Sequence, residues 1–258
     1  MVRLAGVRKA FHRGTPDERA ALDGIDLEVA PGSFVVIIGS NGAGKSSLLN
    51  AIAGVIATDA GSIHIGGSDV SGWPEYRRAR LVARVLQDPM QGTLTALTIE
   101  ENLALAELRA AGRGLGRALT AARRERYAGL LGAYGLRLET RLGARAGQLS
   151  GGQRQVLTLA MAVMNTPSVL LLDEHAAALD PSTAERVMQA TLRAVADARL
   201  STLMVTHNMQ HAVRYGDRLL MMDAGRIRLD VSGEAKARLS VETLVERFRI
   251  ADDRMLLA

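Results

Sequence analysis

Nine consecutive residues, Gly39-Ser-Asn-Gly-Ala-Gly-Lys45-Ser46-Ser47, place glycines at 39, 42 and 44 ahead of a lysine and two hydroxyls. Glycines let successive backbone N–H groups turn inward around phosphate oxygens, and a helix N-terminus directly behind them favours negative charge. In that spacing the lysine reaches the β- and γ-phosphates and Ser46 offers a hard oxygen to Mg²⁺. The run therefore points to a bound nucleoside triphosphate, held by Gly39, Ser40, Asn41, Gly42, Ala43, Gly44, Lys45, Ser46 and Ser47.

Two further runs add to this. Asp173 and Glu174 follow the apolar stretch Val169-Leu170-Leu171-Leu172. One carboxylate there can hold a metal's water shell and its neighbour can polarise an attacking water. An Asp-Glu pair is by itself an ordinary strand end, and it gains meaning only behind a phosphate loop. Leu149-Ser150-Gly151-Gly152-Gln153 stands before another helical pattern. Ser150 suffices there as an N-cap. A hydroxyl, two glycine amides and a helix start also make a second phosphate clamp, however, and one chain cannot easily bring two clamps to one γ-phosphate. Two copies sharing the nucleotide would resolve this.

The elements that must position these groups follow from periodicity. Residues 22–29 alternate, Pro31-Gly32 is a turn, and 34–38 is wholly apolar, the pattern of a strand buried on both faces that feeds the glycine loop. Ser46 to Ile56 is expected as a helix, with Leu48, Leu49, Ile52 and Val55 apolar. Residues 61–67 suggest a strand closing a hairpin, and 81–86 a core strand ending at Gln87. From Thr98 to Gly135 the pattern is helical, with a Gly-rich break at 112–116, as expected of a separate helical subdomain. Beyond Ser150 come a helix to Met164, a strand at 168–172, a helix at 182–197 and a strand at 201–205. Closing strands are expected at 218–222 and 226–231, then a terminal helix at 241–249. Alternating strands and helices imply an α/β fold with a mostly parallel sheet.

The 258 residues, 48% of them hydrophobic, suffice for one large domain or two closely joined subdomains. No apolar run approaches the roughly 18 residues that cross a bilayer, and the start lacks a secretory pattern, so a cytosolic location is the expectation. The absence of cysteine excludes disulfides and thiolate chemistry. The net charge of +5 is carried almost wholly by arginine, with lysine only at 9, 45 and 236, and no run of five like charges appears; this fits compositional bias better than a nucleic-acid patch. His12, His64, His175 and His211 lack ligand-like spacing.

With these motifs in place the chain resembles the ATP-binding cassette (ABC) ATPases over residues 2–249. The resemblance implies a P-loop NTPase fold with an antiparallel β subdomain and an inserted helical subdomain: a single domain over 1–258, its core 1–94 with 165–258, and the helical part about 95–164. It implies a head-to-tail dimer, homodimeric or with a paired ATPase, sandwiching two ATP molecules. Each would lie between one copy's phosphate loop and the other's Ser150, Gly151, Gly152, Gln153 and Asp180. By motif position, Asp173 is the metal residue with Ser46 and Gln87, Glu174 the catalytic base, Gln87 and His207 the groups facing the γ-phosphate, and Phe11 the aromatic that stacks on adenine. ATP and Mg²⁺ are the implied cofactors.

Where many import ATPases continue Asp-Glu-Pro-Thr, this chain has Asp173-Glu174-His175-Ala176. That variant is similar to a bacterial importer subgroup associated with small organic solutes, aromatic amino acids among them. The implied partners are transmembrane permease subunits, touched by the segment from Gln87 to about Leu105, and an extracytoplasmic solute-binding protein. The implied place is the cytoplasmic face of the inner membrane, peripheral through the permease, with no nucleic-acid partner. A soluble ATPase of cofactor assembly, or an exporter or lipid-transport ATPase, presents the same ATP chemistry and is an alternative that the sequence leaves open.

Overall fold

The computed structural model describes residues 1–108 and 117–246. In chain order its first elements are β1 (Val2–Phe11), β2 (Arg19–Val29), β3 (Phe34–Gly39), α1 (Lys45–Ala53), β4 (Ala60–Ile65), β5 (Ser68–Asp69), α2 (Glu75–Arg78) and β6 (Val82–Val85). There follow α3 (Ile99–Glu107), α4 (Ala121–Gly132), α5 (Gly151–Val163), β7 (Val169–Asp173), α6 (Pro181–Ala198), β8 (Ser201–Val205), α7 (Met209–Arg214), β9 (Arg218–Asp223), β10 (Arg226–Ser232) and α8 (Gly233–Ala237). These elements fall into two compact units, one made of residues 1–78 with those from 201 onward, the other of 79–200.

The first unit carries two layers of strand. β2, β1, β4 and β5 form an antiparallel sheet in that order. β3 runs parallel to both β8 and β9, and β10 closes antiparallel on β9. Every residue of β3 is buried, as a strand covered on both faces must be, whereas β10 alternates exposed and half-buried positions in the manner of an edge. This places the end of β3, and the glycine loop beyond it, at the carboxyl edge of parallel strands, where α/β folds bind ligands.

α1 stops at Ala53, three residues short of the expected end. Gly54 takes a left-handed φ of 79° and its N–H turns back to the carbonyl of Ala51, so Val55 is exposed rather than part of an apolar face. The buried Arg78 completes this helix end, donating to the carbonyl oxygens of Ala51 at 2.7 Å and Ile52 at 3.1 Å.

In the second unit β6 and β7 are parallel neighbours, and α5 packs on α6. At Gly152 a methyl group would sit 2.1 Å from Thr183 Cγ2, so glycine sets how closely these two helices approach. The expected helical stretch from Thr98 appears as α3 and α4, tied by Tyr127, whose buried hydroxyl donates to Glu107 at 2.6 Å and whose pKa is pushed up to about 12, first by burial and then by that carboxylate. The Gly-rich break at 112–116 and the end of the expected terminal helix, 247–249, lie outside the described residues. Residues 241–246 are helical.

Candidate nucleotide site

The glycine loop is built where β3 gives way to α1. At Gly44 φ is 100°, and a Cβ would stand 2.3 Å from the carbonyl oxygen of Ala21, so only glycine lets the loop lie against β2. The Gly225 N–H donates to Ala43 O at 3.0 Å from the β9–β10 turn, and Arg19 donates to Gly42 O at 3.0 Å. Inside the loop Lys45 is buried and its ammonium donates to the carbonyls of Gly39 and Ser40, each at 2.9 Å. A cradle closed around an ammonium, with Ser46 exposed at the helix start, suits the oxygens of a polyphosphate.

Two other assigned residues belong to this unit. Phe11 ends β1 and is 37% exposed, and the Lys9 ammonium lies 5.7 Å from its ring centroid. His207 follows β8 on the surface, just before Asn208 caps α7 by accepting from the His211 N–H at 3.1 Å.

The second unit carries the rest. Gln87 is exposed two residues beyond the end of β6. Asp173 ends β7 half-buried, and Glu174 follows with a φ of 47°, a left-handed conformation that side chains other than glycine seldom take outside tight turns and functional sites. The Ala177 N–H donates to Glu174 O at 2.9 Å and closes that turn. Asp180 caps α6, its Oδ1 accepting from the Thr183 N–H at 3.0 Å and the Ser182 hydroxyl at 2.8 Å. The hydrogen bonds of Thr183 and then of Ser182 hold this carboxyl at about 2.

Ser150 caps α5 reciprocally: its hydroxyl accepts from the Gln153 N–H and the Gln153 carboxamide accepts from the Ser150 N–H. Gly151 is exposed and Gly152 faces α6.

Three supporting residues escape a reading of the sequence alone. Arg154 is buried and donates to the carbonyls of Ala146, Gly147 and Leu149, shaping the chain that leads into Ser150. Gln155, fully buried, donates to Leu86 O at 2.9 Å and so holds the stem of Gln87 from α5. Arg19 grips the glycine loop as described. A polar pair, Arg154 and Gln155, inside an otherwise apolar helical pattern was the available signal for the first two.

Residues 22–177 match the family model for "ABC transporter". The chain belongs to the ABC transporter family. It is 40% identical over 251 residues to the "Tyrosine transport ATP-binding protein" of Clostridioides difficile, covering 97% of this chain and 100% of that one. The "Lipoprotein-releasing system ATP-binding protein LolD" of Roseobacter denitrificans is 35% identical over 232 residues, covering 88% and 97%. Among solved structures, a dimeric post-hydrolysis state of the ATP-binding cassette MJ0796 bound to ADP and Pi superposes with a TM-score of 0.76 at 28% identity, covering 90% of this chain and 98% of that one. The protein is thus an ABC ATPase, the ATP-binding subunit of a transporter, with the P-loop NTPase fold expected from its sequence. No helix among the described residues is long and apolar enough to cross a membrane.

Proposed function

We propose that this chain is the ATP-hydrolysing subunit of a bacterial importer of a small organic solute of aromatic amino-acid type. The observation that carries this is the 40% identity, over 97% of this chain and all of the other, to a protein named for tyrosine transport. Two copies, or one with a paired ATPase, join head to tail on ATP, and the closure drives separate permease subunits at the cytoplasmic face of the inner membrane, with an extracytoplasmic binding protein delivering the solute.

Within that pair each residue has a physical task. The Lys45 ammonium, which now donates to two loop carbonyls, has the charge and the donors to bind the β- and γ-phosphates instead. Phe11 offers a ring face to adenine. Among the described residues no group of three or more His, Asp or Glu could hold a metal by itself. Ser46, Gln87 and Asp173 supply oxygens that suit Mg²⁺ only as part of a shell completed by phosphates and water. When bound, the ion neutralises charge on the phosphates. Glu174 accepts a proton from the attacking water, and His207 and Gln87 orient toward the γ-phosphate. The second copy's Ser150, Gly151, Gly152, Gln153 and Asp180 complete the site.

Purification from native membranes followed by reconstitution with the co-purifying permease tests the import assignment. ATP-driven accumulation of an aromatic amino acid inside vesicles is expected. Release of a membrane-anchored lipoprotein instead would favour the second reading, for which the 35% identity to a lipoprotein-releasing subunit speaks. Recovery of the chain with no multi-span partner would contradict both.

A further inference from the structure

His175 follows Glu174 and has no task in the chemistry above, yet it is 3% exposed. Its Nε2 lies 3.0 Å from Thr191 Oγ1, in the middle of α6. Thr191 is itself fully buried, and its Oγ1 is 2.9 Å from the Val187 carbonyl oxygen. Two oxygens at that separation repel unless a proton lies between them, so the single hydroxyl proton goes to Val187. The hydroxyl then faces His175 with a lone pair, and the imidazole must carry a proton on Nε2 to donate to it.

The segment joining the two partners is short and anchored at both ends. Glu174 is left-handed, the Ala177 N–H returns to its carbonyl, and the Leu179 N–H donates to Ala176 O at 3.4 Å. Asp180 then caps α6. The cap fixes the far end of this turn to the start of the helix, and the His175 ring fixes the near end to the helix interior.

We propose that His175, through its Nε2–H bond to Thr191, is a positioning residue that holds Glu174 in its left-handed conformation and aims its carboxylate from α6. The proposal rests on the role of Glu174 as base given above. It also gives the pairing of two copies a route to that base. α6 opens at Asp180, the residue assigned to face the second copy, so a displacement of the helix on pairing is carried toward the Glu174 backbone by the His175–Thr191 bond.

Steady-state ATP turnover of the full chain, with melting temperatures to show that each variant is folded at the assay temperature, tests this. His175→Gln keeps an amide N–H near the position of Nε2, whereas His175→Asn does not reach it; Thr191→Ser keeps the acceptor and Thr191→Val removes it. The Gln and Ser variants should retain kcat within about twofold, while the Asn and Val variants lose about tenfold in kcat with KM for ATP little changed, the signature of a misplaced catalytic group. The double variant His175→Asn with Thr191→Val should be no slower than either single. Equal kcat in the Asn and Gln variants, a fall in melting temperature with kcat unaltered, or losses that multiply in the double variant would overturn the positioning role. Glu174→Gln is the separate control. An inactive Glu174→Gln beside a fully active His175→Asn overturns positioning alone, and wild-type turnover by Glu174→Gln overturns both.

Discussion

Ser150 and Gln153 cap one another: the serine hydroxyl accepts from the Gln153 N–H at 3.3 Å, and the Gln153 carboxamide oxygen accepts from the Ser150 N–H at 3.2 Å. The hydroxyl is an acceptor in this bond, so its proton can still be donated to a phosphate. One side chain thus satisfies a helix start within its own chain and can serve a nucleotide on another.

Ser150→Asp separates the two tasks. Aspartate caps a helix about as well as serine, so unfolding free energy should change by less than about 0.5 kcal/mol. A carboxylate next to a γ-phosphate repels it, and turnover should fall by at least about a hundredfold. Wild-type ATPase activity in a folded Ser150→Asp protein would reduce Ser150 to a cap.

Gly44→Ala strikes the loop rather than the chemistry. The added methyl meets the Ala21 carbonyl in a backbone conformation that costs alanine about 1–3 kcal/mol before any clash. Nucleotide affinity, read by titration with a fluorescent ATP analogue, should weaken by about tenfold or more. Unchanged affinity would show that the loop need not lie against β2.

Arg78 holds the far end of α1, the helix that follows this loop. It is 1% exposed, it donates to four carbonyls including Trp73 and Ser71, and burial lowers its pKa from the usual value. Arg78→Met leaves those acceptors without their donor and should cost about 3–5 kcal/mol, lowering the melting temperature by roughly 10 °C. A thermal melt reads this, and a shift under about 2 °C would mean that water replaces the guanidinium without loss.

Asp180 sets a pH limit on the α6 cap. Its carboxyl lies at about 2 when folded and at 3.8 when unpaired, a depressed value, so the stability it adds is fully present above the unfolded pKa and is lost as pH falls toward 2. Stability of Asp180→Ala relative to wild type should therefore differ by a constant amount from pH 5 to 9, with the gap closing below about pH 4. A gap that changes between pH 6 and 8 would contradict the assigned bonds to Thr183 and Ser182.

Much of this arrangement was legible in the residues, for local reasons. The strand at 201–205 lies where its apolar run ends at Thr206, and the Ser-Gly-Gly-Gln run begins α5 because the capping box is written within four residues. The apolar period runs past the end of α1 through Val55, while the left-handed Gly54 that stops the helix has no periodic signature. β1 has no clean strand pattern: its alternation breaks at Ala5 and Gly6, where its register on β2 shifts. The supports were hidden for a different reason. Arg78 meets Ala51, Gln155 meets Leu86 and His175 meets Thr191 across 27, 69 and 16 residues, and such pairings exist only once the chain has folded.

In the proposed pairing, Lys45 of one copy and Ser150 of another serve the same ATP. Turnover per chain, measured against protein concentration with the oligomeric state followed by light scattering, tests it most directly. The rate should climb as dimers form and fall nearly to zero where only monomer remains; a constant rate per chain down to strictly monomeric solutions would contradict it.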